Sequence, residues 1–127
     1  MIETALGTSI AFTAPHRLAT NAGYDILEAG GTAVEAMVAA AAQIAVVYPH
    51  MNSIGGDGFW LIKRINQPPV AISACGPAAK QATCDWYNKQ GFKDSLPVRG
   101  PLAALTVPGT IAGWKLALEL DDPTKAV

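Results

Sequence analysis

The sequence predicts an α+β or layered α/β chain, with a mixed sheet and flanking helices. Three observations lead there. Segments with the 3.6-residue helical repeat alternate with short runs rich in β-formers. The alternation is uneven, because a hairpin pattern interrupts it, and that argues against a doubly wound parallel sheet. Half of the 127 residues are apolar and only 15% are charged, which supplies a core. A chain of this length buries roughly two-thirds of its unfolded surface, so this apolar share exceeds what the chain covers by itself.

The elements follow in order. Thr8 to Thr13 alternates weakly and reads as a short strand. Leu18 to Ala29 places apolar residues at 18, 22, 26 and 29, one helical face, and Gly30-Gly31 closes it. Thr32 with Glu35 three residues on forms a capping box for a helix from Ala33 to about Val47. That helix has hardly any polar face, the mark of a buried helix, and Pro49 stops it. Phe59 to Ile65 and Val70 to Ala74 read as a hairpin around "NQPP", broken by Gly76-Pro77. Thr83 to Gln90 is a short helix stopped by Gly91, and Leu102 to Val107 is a strand. Thr110 caps a last helix in which Ile111, Trp114 and Leu118 share a face. There is no internal repeat, and residues 1–127 read as a single segment.

Composition excludes several functions. The net charge is −1, with no basic stripe, so neither a nucleic-acid backbone nor an anionic membrane is an expected partner. Two cysteines, Cys75 and Cys84, are too few for a disulfide framework and lack zinc spacing. They read as free thiols in a reducing compartment. The N-terminus lacks a basic region followed by an apolar run, so a cytoplasmic location is expected. The longest apolar stretch, 36–48, is shorter than the ~20 residues a membrane span needs. No metal or cofactor is expected.

The most pointed stretch is "PHMNSIGGDGFWLI", Pro49 to Ile62. Consecutive N–H groups in a glycine-rich turn can cradle an anion or an oxyanion. The spacing fits neither a dinucleotide fingerprint nor a phosphate loop, and the turn leads into a strand rather than a helix. The competing reading is a tight turn where backbones approach closely, with Asp57 bonded to nearby loop N–H groups. His50 is a lone histidine beside the loop, and packing is the plainer reading than a general base; His16 is weaker still. Cys75, at a strand end, is read as a pocket residue or loop filler, since a thiolate nucleophile needs a base beside it. Cys84 reads as inert. Of Trp60, Trp86 and Trp114, core packing accounts for at least two.

The stretch "APHRLATNAGYDILEAGGTAVEAMVAAAAQIAVVYPHMNSIGGDGFWLI" resembles the start of the mature large subunit of the γ-glutamyltranspeptidases and their homologues. "GPLAALTVPGTIAGW" resembles a later segment of the same subunit. The resemblance runs from about Thr8 to Leu118, in order. It implies an N-terminal nucleophile hydrolase of αββα architecture, of which this chain is an incomplete part. Such precursors cut themselves into two subunits. The new N-terminal threonine of the small subunit is then the nucleophile, and its own amine is the base. Members transfer or hydrolyse γ-glutamyl groups; relatives act on other acyl amides, including poly-γ-glutamate and cephalosporin side chains.

Two departures accompany the resemblance. No stretch matches the threonine-led start of the small subunit. The catalytic residues are therefore expected outside this chain, whose partners are the rest of the large subunit and the small subunit. The apolar excess is then surface that those partners cover. A homo-oligomer is also compatible. Second, transpeptidases of the family hold the substrate's α-carboxylate with an arginine followed by a glutamate, a forked contact that a planar guanidinium supplies. At those positions this sequence has Cys75 and Gly76. They are the candidate substrate-binding residues, and Lys80 nearby lacks the fork. The sequence thus reads as part of an acyltransferase or amidohydrolase with altered acyl specificity, inactive alone. Two other readings stand beside it. One is a non-catalytic scaffold that binds a partner through its apolar surface, for which a native species of 13.2 kDa would speak. The other is a small-anion binder using the glycine turn.

Overall fold

The computed structural model describes residues 6–122. They gather in two compact units, one taking in the chain through Ile54 and again from Trp114, the other Gly55–Gly113.

The first unit is built on two helices packed together, α1 (Arg17–Glu28) and α2 (Ala33–Val47). His16 caps α1: its Nδ1 accepts the Leu18 N–H at 3.2 Å. Gly30, at φ 87°, ends the helix, with Gly31 N–H reaching back to the Ile26 carbonyl at 2.9 Å. The capping box of α2 forms as the sequence predicts. Glu35 N–H donates to Thr32 Oγ1 at 3.1 Å, and Thr32 N–H donates to Glu35 Oε2 at 2.8 Å. The buried residues of the pair are mostly small: Ala19 and Gly23 of α1, and Val34, Ala36 and Ala40 of α2. The buried face of α1 therefore lies one residue along from the predicted one, and Leu18 is 46% exposed. Small side chains let the backbones approach, so the contact forms on the alanine and glycine stripe. Within the described residues α2 is not covered all round: Val46 is 74% exposed. One neighbouring helix covers only one face of an apolar cylinder.

Residues 8–13 form no ladder, contrary to the predicted strand. They run beside α1, with a bend at Thr8 and Ser9, held where Ala14 N–H donates to Thr20 Oγ1 at 3.0 Å. The Phe12 ring lies on the bare face of Gly23. Extended conformation makes a strand only where a neighbour supplies hydrogen bonds, and no described strand lies in register with this segment.

The second unit holds two antiparallel pairs. In the first, β1 (Phe59–Ile62) pairs with β2 (Val70–Ser73), in the register Phe59 to Ser73 and Ile62 to Val70. Asn66, at φ 58°, turns the connection. The ammonium of Lys63 closes the loop on the carbonyls of Arg64 and Gln67 at 2.8 and 2.6 Å. Alternation gives two faces. Trp60, Ile62 and Ile72 point to the covered side; Phe59 and Leu61 stand out, 74% and 78% exposed.

In the second pair, β3 (Cys75–Ala78) meets β4 (Thr106–Pro108), with Cys75 opposite Pro108 and Ala78 opposite Thr106 across an irregularity. Gly76-Pro77 thus lies inside a strand rather than breaking one. Proline is tolerated because the pair is short and bulged. Both described sheets are antiparallel, so the mixed sheet of the sequence expectation is not formed within them. Only the end of the predicted strand at 102–107 is extended; Pro101–Ala103 is a 3-10 turn. Between the strands, α3 (Cys84–Lys89) is capped by Thr83 and stopped by Gly91. Its Tyr87 is buried and donates a hydrogen bond to the Leu102 carbonyl at 2.9 Å. Such a bond contributes about 1 kcal/mol.

The last helix, α4 (Thr110–Asp121), buries Thr110, Gly113 and Ala117. Trp114 is half-buried, whereas Ile111 and Leu118 of the predicted face are exposed. The reason again is that the close-packed stripe is the one with small residues.

Candidate functional site

Three segments of the second unit converge on one place: the glycine turn 56–58, the stretch 74–76, and the stretch 107–110. The Gly56 carbonyl accepts the N–H groups of Gly109 at 3.0 Å and of Thr110 at 3.1 Å. It also accepts the Thr110 hydroxyl at 2.7 Å, which leans at 3.2 Å on the Asp57 carbonyl. Ala74 N–H donates to the Gly58 carbonyl at 2.8 Å. The glycine turn therefore faces the start of α4 with its carbonyls. The first N–H groups of a helix lack intrahelical partners, and the turn satisfies one of them together with the N–H just before it. This is the tight-turn reading of the sequence. Where main-chain carbonyls converge, an anion is not favoured.

Cys75 is exposed and its thiol is free. Gly76 has the least room for a side chain of the unit's glycines. A Cβ built there would lie 1.6 Å from the Val107 carbonyl oxygen and 2.4 Å from its carbon. No side chain fits that backbone, a glutamate least of all. Lys80 is exposed in the turn after β3. The polar neighbours that the structure does bring to Cys75 and Gly76 are main-chain groups.

Both histidines belong to the first unit. His50 lies against Tyr48, ring centroids 4.2 Å apart, and Tyr48 lies 6.4 Å from the His16 ring. Packing and capping account for both. Asp57 is exposed, and its contact with Thr110 is made by its carbonyl rather than its carboxylate. Cys84 opens α3 and is exposed. Trp60 is half-buried on the covered face of the hairpin, and Trp86 meets Tyr87 edge-on at 4.9 Å. Among the described residues no group of three His, Cys, Asp or Glu side chains could hold a metal. No described helix is long and apolar enough to cross a membrane.

Sequence reasoning missed Thr110 as a bridging side chain and read its hydroxyl as a helix cap. The usable signal was the mirrored pair Gly76-Pro77 and Pro108-Gly109, which suits two antiparallel segments in close approach.

In the first unit, a groove of about 1050 Å³ runs between residues 6–13 and α1, lined by Thr20, Tyr24, Leu27 and Glu28 among others. It is largely apolar. The Thr20 hydroxyl in it is engaged with Ala14.

Comparison with known proteins places these features. The sequence model of the Gamma-glutamyltranspeptidase family matches residues 19–120. An oxamate amidohydrolase proenzyme of Klebsiella pneumoniae subsp. pneumoniae is 56% identical over 107 residues, covering 84% of this chain and 20% of that protein. A glutathione hydrolase-like proenzyme of Bacillus subtilis is 40% identical over 120 residues, covering 94% of this chain and 22% of that protein. The crystal structure of Helicobacter pylori gamma-glutamyltranspeptidase matches with a TM-score of 0.73 at 35% identity, covering 97% of this chain and 34% of that one. The chain spans about a fifth of the length of these curated relatives. By its matched sequence and its backbone alike, the chain belongs to the γ-glutamyltranspeptidase family, and its helices and small sheets are an incomplete part of that family's α+β, N-terminal nucleophile hydrolase fold.

Proposed function

We propose that the complete protein carrying this sequence is an amidohydrolase or acyltransferase that acts on the amide of a small acid rather than on a γ-glutamyl compound. A threonine released by self-cleavage serves as nucleophile, in sequence outside this chain. The observation that carries the substrate choice is the pair Cys75 and Gly76. A forked cation there would grip an amino-acid carboxylate; instead the position offers a thiol, and the Val107 main chain fills the space beside it. The relative with 56% identity is named for oxamate, a small acid amide. The chain by itself supplies a wall of the site and no nucleophile.

The apolar faces left exposed here, around Phe59 and Leu61 and around Val46, are read as surface for the remaining large subunit and the small subunit. A cytoplasmic location is part of the same proposal.

The test is kinetic. The complete protein is assayed for ammonia release from oxamate and for anilide release from a γ-glutamyl anilide. Oxamate turnover is expected. Loss of a charged, forked contact is worth roughly 1.5–3 kcal/mol, so anilide turnover is expected to fall roughly 10- to 100-fold below that of family transpeptidases. Anilide turnover equal to theirs would show that another group holds the carboxylate.

A further inference from the structure

We infer that Thr110 is a positioning residue. Its hydroxyl fixes the glycine turn 56–58 to the start of α4, and through it the Cys75–Gly76 segment that the proposed function makes the substrate wall. Thr110 is a buried polar side chain, 8% exposed. Its one hydroxyl proton is shared by two consecutive carbonyls, Gly56 at 2.7 Å and Asp57 at 3.2 Å. A threonine at the cap position turns its oxygen back to its own helix, but the cap here is Gly109, whose carbonyl takes the Gly113 N–H at 2.9 Å, and Thr110 is the first residue of α4. This one spends its proton on a segment more than fifty residues earlier in the chain.

The turn is in turn the support of the wall. Gly58, next to Asp57, holds the N–H of Ala74 at 2.8 Å, and Ala74 leads directly into Cys75. A Cβ built on Gly58 would sit 3.7 Å from the Thr110 Cα and 3.9 Å from the Ala74 Cβ. Thr110 and Ala74 therefore flank the same glycine. On the other side, Cys75 is opposite Pro108, two residues before Thr110. A Cβ built on Gly109 would lie 2.1 Å from the Ala74 carbonyl oxygen, so the two main chains are in direct contact. The circuit from Thr110 through the turn to Ala74, Cys75, Pro108 and back is closed. The threonine hydroxyl is the side-chain group bonded into it, so the hydroxyl locks a loop that glycines otherwise leave soft.

The inference rests on the proposed function for its catalytic consequence, and the experiment separates the two. The complete protein is prepared as wild type, Thr110→Val, which keeps the shape and removes the hydroxyl, and Thr110→Ser, which keeps the hydroxyl. Thr110→Ala removes the hydroxyl without the branched bulk, should valine impair folding. Hydrogen exchange of peptides covering 55–60 and 73–78 reads the lock directly. Steady-state kinetics with oxamate read the wall.

The expected result is faster exchange in both peptides for the valine and alanine variants. With it comes a rise in KM of roughly 5- to 10-fold, kcat within about a factor of two, and near wild-type behaviour of the serine variant. Unchanged exchange in either peptide overturns the lock. Faster exchange with unchanged KM, or a serine variant as impaired as valine, overturns the positioning role. A wild-type protein that hydrolyses no amide removes the proposed function, and the exchange measurement still decides whether Thr110 holds the two segments together.

Discussion

Two adjacent residues should respond in opposite ways to the same substitution. Gly76→Ala adds one methyl group where the structure has main chain. The new Cβ would lie 1.6 Å from the Val107 carbonyl oxygen, 2.4 Å from its carbon and 2.8 Å from its Cα. None of these atoms belongs to a side chain that could swing aside, so β3 and β4 must part by more than an ångström to restore ordinary contact. Hydrogen bonds at about 2.9 Å do not survive such a shift. Losing two of them costs roughly 2 kcal/mol, and the residual overpacking adds about 1–3 kcal/mol. Cys75→Ala removes an exposed thiol and should stay within about 0.5 kcal/mol. Native-state hydrogen exchange of the β3 and β4 amides reads local opening even in a protein that does not unfold in two states. The expected result is exchange faster by roughly two to four orders of magnitude in Gly76→Ala, and nearly unchanged in Cys75→Ala. Equal exchange in the two variants would refute the close approach and return Gly76 to the status of an ordinary loop glycine.

Three further outcomes are expected. Thr32→Ala removes one half of the capping box and should cost α2 about 1 kcal/mol, seen as faster exchange in its first turn while α3 is unaffected. His50→Gln should lower stability modestly through the lost Tyr48 ring contact, read as a slightly lower melting temperature; an unchanged one would show that the contact carries no weight. Phe59→Lys with Leu61→Lys should reduce self-association of the isolated 127-residue chain in light scattering. Under the proposed covering of this face by the rest of the protein, the same pair in the complete protein should lower the yield of assembled protein.

Local signals carried much of the fold. The capping box at Thr32 and Glu35, the glycine stops at Gly30 and Gly91, and Pro49 after α2 are all chemistry of a few neighbouring residues, and α1, α2 and α3 begin and end within a residue of their predictions. The hairpin was legible for the same reason. What sequence hid is non-local. Whether residues 8–13 are a strand depends on a partner. Which face of α1 or α4 is buried depends on where a neighbour can come close, and small residues won over large ones at Ala19, Gly23, Gly113 and Ala117. The β3–β4 pair was invisible because glycine and proline argue locally against a strand, while here they admit one. In the site, Cys75 and Gly76 could be marked by resemblance, but the reason Gly76 is glycine lies thirty residues away at Val107.

The glycine turn shows how direction, more than composition, decides what such a loop can do. A turn rich in glycine holds donors and acceptors in equal number. Presented N–H outward, it would cradle an anion; presented C=O toward a helix start, it caps that helix. Here the Gly56 carbonyl takes two N–H groups and a hydroxyl, and the neighbouring carbonyls at Asp57 and Gly58 take Thr110 and Ala74. With these acceptors committed to α4 and to Ala74, the turn is bonded framework for the Cys75 segment. Under the proposed function, the nucleophile and the charge-stabilising donors come from elsewhere in the complete protein, and a loop so conspicuous in sequence then serves as support for the substrate wall rather than as part of the chemistry.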